Sequence, residues 1–251
     1  MSSGKKALVS GASSGIGAAT AARFAAEGWD VCLLARRRGK LEEVLRAMKP
    51  GGHLLCAGDY SDPETAAAAG RMIAESWGRL DALVNCAGIF AGGDAVTMPF
   101  SEWRVPFDMM VNGAVHLTRM AVPLMKGGGR IIHVTSIHGE RGEVGASAYA
   151  MAKAALNQYC RCLATELGDK GILVNAIAPG FIDTPMSVVD GKNELESEWF
   201  KRDYVSGRHL PLRRAGKPEE VAGVAFFLAG PDATYLTGQV ITVDGGLTTT
   251  F

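Results

Sequence analysis

The sequence predicts an α/β fold in which a doubly wound parallel sheet of about seven strands carries helices on both faces. Short apolar segments alternate with longer helical ones along the chain, as strands joined by crossover helices do. A glycine-rich turn follows the first apolar segment, where such sheets bind their ligands. With 251 residues, 47% of them hydrophobic, the chain can bury a large core, and we expect one domain over residues 1–251.

The strand-like segments are apolar and short, and the helical segments between them are longer and amphipathic. The predicted strands cover residues 7–10, 31–35, 53–57, 82–84, 130–135, 172–177 and 240–243. The predicted helices cover residues 15–27, 38–48, 63–77, 100–125, 148–167 and 218–228. Right-handed crossovers between such segments produce a doubly wound sheet.

One connection is unusually long. Residues 185–214 are rich in charge and contain no clear strand. Loops of this length inside a compact domain are usually lids or binding elements. We therefore expect a substrate lid at about residues 185–214.

The balance of charge and the number of cysteines limit the classes of function that the chain can have. The 26 basic and 26 acidic residues balance, so no overall field attracts nucleic acid or a membrane, and a small-molecule substrate fits better. Residues 1–6 show no apolar signal-peptide core, and no segment is long enough to cross a bilayer. The five cysteines are odd in number and lack zinc-ligand spacing, so we expect no metal site and a reduced, cytoplasmic location.

The first turn has the context of a dinucleotide-binding loop. Gly11, Gly15 and Gly17 lie between a short strand and an alanine-rich helix, with Ser13, Ser14 and Ile16 among them. Glycines let the backbone approach a pyrophosphate, whose charge then meets the free N–H groups at the helix start. The turn therefore predicts a Rossmann-type cofactor site.

The end of the second strand distinguishes NAD from NADP, because an acidic residue there binds the ribose 2′-hydroxyl and arginine binds a 2′-phosphate. Here the strand is followed by Arg36, Arg37 and Arg38. We assign the phosphate contact to Arg36 and interpret Arg37 and Arg38 as the solvated start of a helix. The pattern favours NADP(H), with NAD(H) as the alternative.

Tyr149 and Lys153 are four residues apart in a predicted helix and so share a face. A nearby cation stabilises a phenolate and lowers the pKa of tyrosine, which lets the group exchange a proton with a substrate. Taken alone, the spacing is more often an accident of an amphipathic helix.

Together with other motifs, the pair resembles the short-chain dehydrogenase/reductase family of the single-domain type, including the 3-oxoacyl-(acyl-carrier-protein) reductases. The resemblance covers essentially the whole chain. Its further motifs are the sequence Asn85-Cys86-Ala87-Gly88, Ser136 after the fifth strand, Pro179-Gly180 after the sixth, and the ending 237–246.

The resemblance implies roles for the catalytic residues. Ser136 hydrogen-bonds the substrate oxygen and Tyr149 exchanges a proton with it. Lys153 lowers the pKa of Tyr149 and binds the nicotinamide ribose. Asn112 kinks its helix and anchors a water that links Lys153 to solvent.

It also implies the binding residues. Besides the glycine loop, Arg36, Tyr149 and Lys153, the cofactor contacts are Asp59, Tyr60, Asn85, Ala87, Gly88, Pro179, Gly180, Ile182 and Thr184. The expected substrate contacts are His138, Phe181 and Met186. Asp59 and Asn85 are also residues that cap turns, which leaves a purely structural role open.

Three positions depart from the family pattern: Ser10 stands for the usual threonine, Cys86 for a second asparagine, and Gly127-Gly128-Gly129 for a basic segment that docks an acyl carrier. The leading interpretation is an NADP(H)-dependent carbonyl reductase or alcohol dehydrogenase. An NAD-linked polyol or sugar dehydrogenase and a non-catalytic dinucleotide sensor are the alternatives. By resemblance we expect a homotetramer.

Overall fold

The computed structural model describes residues 4–249 and contains the predicted parallel sheet. Its strands are β1 (Lys6–Ser10), β2 (Asp30–Ala35), β3 (Leu54–Ala57), β4 (Ala82–Asn85), β5 (Gly129–Val134) and β6 (Ile172–Pro179), with β9 (Val240–Val243) at one edge. Their order is β3-β2-β1-β4-β5-β6-β9, and all neighbours run parallel. The order reverses between β1 and β4, the point at which doubly wound sheets bind ligands.

Helices cover both faces, as predicted. The longer ones are α1 (Gly15–Ala26), α2 (Arg38–Ala47), α3 (Pro63–Ser76), α6 (Gly113–Ala121), α7 (Ser147–Leu167) and α9 (Pro218–Ala229). One core packs α1 and α9 on the sheet, where the Phe24 ring lies 5.0 Å from Trp29 and 5.4 Å from Phe226 between ring centroids. The other core lies beneath α3, α6 and α7.

The helix predicted over residues 100–125 is present but interrupted. The segment consists of α4 (Phe100–Trp103), α5 (Val105–Phe107), a π-helical turn Asp108–Asn112, α6, and a final turn Val122–Leu124. Pro106 and Pro123 cannot donate the backbone hydrogen bonds that a continuous helix needs. Gly113, the first residue of α6, packs so closely on Tyr60 that a Cβ there would lie 2.1 Å from the ring.

The long connection also contains structure that was not predicted. Strands β7 (Val188–Val189) and β8 (Lys192–Asn193) form an antiparallel hairpin, followed by α8 (Glu198–Phe200) and a π-helical turn Lys201–Ser206. The hairpin turns at Asp190 and Gly191, both with positive φ (48° and 75°), as two-residue hairpin loops prefer. Phe200 and Leu210 are buried, so this connection packs against the protein.

Candidate active site

The backbone of the glycine loop requires glycine at three positions. Gly11 and Gly15 have φ of +67° and +52°, which glycine adopts without strain. A Cβ on Gly17 would lie 2.3 Å from the carbonyl oxygen of Gly11. The Ser14 side chain makes no capping hydrogen bond to α1, so the first N–H groups of that helix stay available for an anion.

Ser10 retains the function expected of threonine at this position. Its hydroxyl accepts hydrogen bonds from the backbone N–H groups of Cys86 (3.2 Å) and Ala87 (3.3 Å). These contacts join the glycine loop to the segment after β4. The methyl group that serine lacks is not needed for that link.

The cofactor cleft lies at the carboxyl ends of β1, β2 and β4. It brings together most of the predicted cofactor residues, namely Gly11, Ser13, Ser14, Gly15, Ile16, Gly17, Arg36, Asp59, Tyr60, Ala87, Gly88 and Thr184. Cys86, Met109 and Pro185 also line it and were not predicted. The open glycine loop and the free N–H groups of α1 fit a dinucleotide phosphate.

Other predicted cofactor residues lie beside or beneath the cleft. Asn85 is buried, and its side-chain nitrogen is 3.2 Å from Nδ1 of His133. Pro179 is the last residue of β6, and a Cβ on Gly180 would contact Asp244 at 2.8 Å. Ile182 is buried.

Asp59 accepts hydrogen bonds of the kind that cap a turn, as its residue type allows. Its Oδ1 accepts from the backbone N–H (2.9 Å) and the hydroxyl (2.6 Å) of Ser61. These hydrogen bonds, with a smaller contribution from the Arg36 charge, lower the pKa of Asp59. The carboxylate is therefore an ionised acceptor at the edge of the cleft.

Arg37 is exposed at the start of α2, as interpreted, but it also contacts the glycine loop. Arg36 and Arg37 both line the cofactor cleft. The Arg37 guanidinium donates to the hydroxyls of Ser13 (3.3 Å) and Ser14 (3.4 Å), because the residue before α2 points back across the loop. Arg38, by contrast, pairs with Glu42 at 3.7 Å along the exposed surface of α2, as predicted.

Ser136, Tyr149 and Lys153 converge at the carboxyl end of β5. All three are buried, at 6%, 8% and 3% exposure. Lys153 Nζ donates to the carbonyl oxygen of Val134 at 2.9 Å and lies 5.5 Å from the centre of the Tyr149 ring. The predicted catalytic pair thus does share one face of α7 beside the cleft.

The pKa of Tyr149 moves in the direction opposite to the expected one. Burial raises it to about 12, and a hydrogen bond with Ser136 acts against that rise. Burial likewise lowers the pKa of Lys153 to about 8. Desolvation therefore dominates at both groups. It favours the neutral form of each side chain more than water does.

Asn112 ends the π-helical turn Asp108–Asn112, and its side chain is exposed. The interruption of the helix at this residue agrees with the kink that the resemblance implies. The Tyr60 hydroxyl donates to the Met110 carbonyl of this turn at 3.5 Å, and Arg104 pairs with Asp108 at its start at 2.6 Å.

The predicted substrate residues separate into three places. The His138 ring lies against Tyr149 with 6.0 Å between centroids, and Phe90 lies on the same phenol at 5.3 Å. Phe181 belongs to an aromatic cluster with the 185–214 segment, 4.7 Å from Tyr204 between ring centroids. Met186 lines the cofactor cleft instead.

Neither a membrane-spanning helix nor a metal-binding cluster occurs in the described part of the chain. None of its helices is long and apolar enough to cross a lipid bilayer. No three His, Cys, Asp or Glu side chains within residues 4–249 are grouped so that they could bind a metal ion.

Comparison with known proteins gives the family. Residues 11–248 match the family model described as enoyl-(acyl carrier protein) reductase. The chain is 39% identical over 247 residues to the short-chain reductase protein NovJ of Streptomyces niveus, covering 96% of this chain and 92% of NovJ. It is 37% identical over 248 residues to the 3-oxoacyl-(acyl-carrier-protein) reductase FabG of Thermotoga maritima, covering 97% and 98% of the two chains.

A solved structure agrees over nearly the whole length. The L-sorbose reductase of Gluconobacter frateurii, complexed with NADPH and L-sorbose, superposes with a TM-score of 0.89 at 35% identity and covers 99% of this chain and 98% of its own. The chain therefore belongs to the short-chain dehydrogenase/reductase family of oxidoreductases, which transfer hydride between a nicotinamide cofactor and a carbonyl or alcohol group.

Proposed function

We propose that this protein is an NADP(H)-dependent reductase of ketones, or dehydrogenase of secondary alcohols, with Ser136, Tyr149 and Lys153 as its catalytic residues. The observation that carries the proposal is the convergence of these three buried side chains beside a cleft edged by Arg36 and Arg37. A non-catalytic sensor has no need to bring a serine and a tyrosine hydroxyl together at this place.

The side chains have distinct tasks in the reductive direction. The cofactor supplies a hydride to the carbonyl carbon. The Ser136 and Tyr149 hydroxyls donate to the carbonyl oxygen and stabilise the charge that develops there. Tyr149 then gives its proton to that oxygen, and the raised pKa of its buried phenol keeps the proton on until the alkoxide forms.

Lys153 supports both groups. Its bond to the Val134 carbonyl uses one of three N–H donors and leaves the others for the nicotinamide ribose and the Tyr149 oxygen. A Cβ on Gly88 would lie 3.5 Å from Nζ, in ordinary van der Waals contact, so the Gly88 backbone lies directly beside the ammonium. Asn112, at the break in the helix, is proposed to anchor the water that returns protons to Lys153.

The preference for NADP(H) rests on the two arginines. No acidic residue lies at positions 36–41, immediately after β2, to accept from a ribose 2′-hydroxyl. Guanidinium groups bind phosphate through several N–H donors at once. The G. frateurii relative was solved with NADPH.

Arg36 and Arg38 allow the preference for NADP(H) to be tested, because Arg36 lines the cofactor cleft and Arg38 pairs with Glu42 on α2. We expect Arg36→Ser to raise the Kd of NADPH about 10- to 100-fold, since a charge-assisted hydrogen bond contributes about 1.5–3 kcal/mol, and to leave the Kd of NADH nearly unchanged. Arg38→Ser is the control, because Arg38 pairs only with Glu42 at the surface among the described residues. Both constants are measured by nicotinamide fluorescence, and tighter binding of NADH than NADPH by the natural protein contradicts the proposal.

Three further proposals concern the molecule as a whole. We propose one domain with a substrate lid at about 185–214, supported by the packing of Tyr204 on Phe181. A homotetramer is supported by the exposed apolar side chains of Phe100, Val105 and Met151. A cytoplasmic location is supported by the free thiols of all five cysteines. Light scattering tests the tetramer.

A further inference from the structure

Tyr60 joins the cofactor cleft to the break in the helix at Asn112. The residue lines the cleft, although only 6% of its surface is exposed. Its hydroxyl donates to the carbonyl oxygen of Met110 at 3.5 Å, and its ring lies against Gly113, where a Cβ would be 2.1 Å away. One side chain therefore contacts the cleft, the π-helical turn Asp108–Asn112 and the first residue of α6.

The segment that carries Tyr60 is fixed by an aspartate on each side. Asp59 accepts from the backbone N–H of Ser61 at 2.9 Å, and Asp62, the N-cap of α3, accepts from the backbone N–H of Glu64 at 3.0 Å. Such side-chain caps satisfy backbone groups that a turn or a helix start leaves unpaired. Tyr60 is thus held from its own side of the contact.

The π-helical turn is the less regular side of the contact. A π-helical turn interrupts the usual hydrogen-bond pattern of a helix and occurs mostly at functional sites. The Met110 carbonyl accepts from the backbone N–H of Gly113 as well as from Tyr60, so both contacts of Tyr60 meet at the junction of this turn with α6. A segment with irregular backbone hydrogen bonds depends more on contacts from its neighbours.

The same turn also reaches the catalytic lysine. A Cβ on Gly88 would lie 3.5 Å from Sδ of Met110 and 3.5 Å from Nζ of Lys153, so the thioether and the ammonium meet beside Gly88. Met109 lines the cofactor cleft, and Asn112 ends the turn. A displacement of the turn therefore changes the surroundings of both Lys153 and Asn112.

The phenol of Tyr60 has no part in proton transfer. Burial, and then electrostatic interactions with Cys86 and Tyr159, raise its pKa. The hydroxyl consequently keeps its proton at neutral pH and acts as a hydrogen-bond donor. Any effect of Tyr60 on the reaction is therefore an effect on position.

We propose that Tyr60 is a positioning residue, which couples occupation of the adenosine end of the cleft to the arrangement of the π-helical turn and, through that turn, of Asn112 and Lys153. The inference rests on the proposed function and adds a residue to its site. Binding of an adenosine fragment alone is then expected to order the turn and to raise the reaction rate at the catalytic residues.

A cofactor divided into two halves tests this coupling. Adenosine 2′-monophosphate (2′-AMP) represents the half expected beside Arg36, and reduced nicotinamide mononucleotide (NMNH) carries the hydride without adenosine. We expect 2′-AMP alone to slow hydrogen exchange of the backbone amides of residues 108–113 about tenfold, measured by mass spectrometry. With 2-hydroxyacetophenone as the ketone, we expect 2′-AMP to raise kcat/KM for NMNH about tenfold.

Variants of tyrosine assign these two effects to Tyr60. Tyr60→Leu removes the ring and the hydroxyl, so we expect both effects of 2′-AMP to fall to about onefold, and Tyr60→Phe, which removes the hydroxyl alone, to reduce each by about half. Tyr235→Phe is the control and retains both effects, because Tyr235 is fully exposed. Competition with NADPH, followed by nicotinamide fluorescence, ensures that each protein is compared at full occupancy by 2′-AMP.

Each remaining outcome has one meaning. Unchanged effects of 2′-AMP in Tyr60→Phe overturn the inference, whether or not Tyr60→Leu folds, because direct contact with Met109 is then sufficient. Absence of either effect in the natural protein at full occupancy overturns the inference and leaves the proposed function standing. Failure of the natural protein to reduce any tested ketone with NADPH or NADH contradicts the proposed function, and the inference fails with it.

Discussion

Replacing Tyr149 by phenylalanine is expected to lower kcat about 10²- to 10⁴-fold, the usual contribution of a positioned general acid. The substitution removes the proton that the alkoxide needs and one of the two hydroxyls that stabilise its charge. The phenyl ring keeps its contacts with Phe90 and His138, so the fold and the cofactor cleft are preserved. Steady-state oxidation of NADPH by a ketone measures the loss.

The control for this variant is cofactor binding. The Kd of NADPH is expected to change far less than kcat, since only the phenol's own contact with the cofactor is lost and Lys153 retains its bond to the Val134 carbonyl. An unchanged kcat in Tyr149→Phe, at full occupancy by NADPH, contradicts the assigned role of the phenol. A parallel loss of kcat and NADPH binding points instead to a disturbed cleft.

Replacing Gly17 by alanine is expected to raise the Kd of NADPH at least 100-fold or to abolish binding. The new Cβ lies 2.3 Å from the oxygen and 2.6 Å from the carbon of the Gly11 carbonyl, and both are backbone atoms. The loop must therefore move, and the cradle for the pyrophosphate moves with it. An affinity change of 100-fold corresponds to about 2.7 kcal/mol of binding free energy.

Gly39→Ala is the matched control, because a Cβ at that helical position meets nothing within 4 Å. Fluorescence titration measures binding, and a thermal melt followed by circular dichroism shows whether each variant is folded. A folded Gly17→Ala protein with normal affinity for NADPH contradicts the assignment of this loop. A melting temperature lowered in Gly17→Ala alone shows that the contact with Gly11 also supports the fold.

Local patterns in the sequence were sufficient for most of the fold. Apolar segments and crossover helices identified the seven strands and their parallel arrangement, because the five inner strands are almost entirely buried and therefore largely apolar. The break in the helix at Asn112 was not predicted from periodicity. The π-helical turn there is followed by Gly113, which packs against Tyr60, and contacts between segments so far apart in sequence leave no mark on the local pattern.

The hairpin at β7 and β8 carries a local signal in the sequence. Asp190-Gly191 is a favoured pair for a two-residue hairpin turn, yet its flanking strands are only two residues long. Strands this short show too few alternations to be recognised from pattern alone.

Within the site, the sequence predicted which side chains come together more reliably than it predicted their pKa values. The spacing of Tyr149 and Lys153 placed both on one face of α7, but the sign of the tyrosine pKa shift depends on burial, which the motif does not report. Arg37 was assigned to solvent because a run of arginines usually starts an exposed helix. Its hydrogen bonds to the hydroxyls of Ser13 and Ser14 depend on the three-dimensional path of the glycine loop.

The most direct test of the central claim follows the hydride itself. NADPH carrying deuterium at the transferring position of the nicotinamide is incubated with the protein and 2-hydroxyacetophenone, and the product diol is analysed by mass spectrometry. We predict that the carbinol carbon of the diol acquires the deuterium, and that Tyr149→Phe forms this product at least about 100-fold more slowly. A product without deuterium, or equal rates of labelling by the two proteins, contradicts the account.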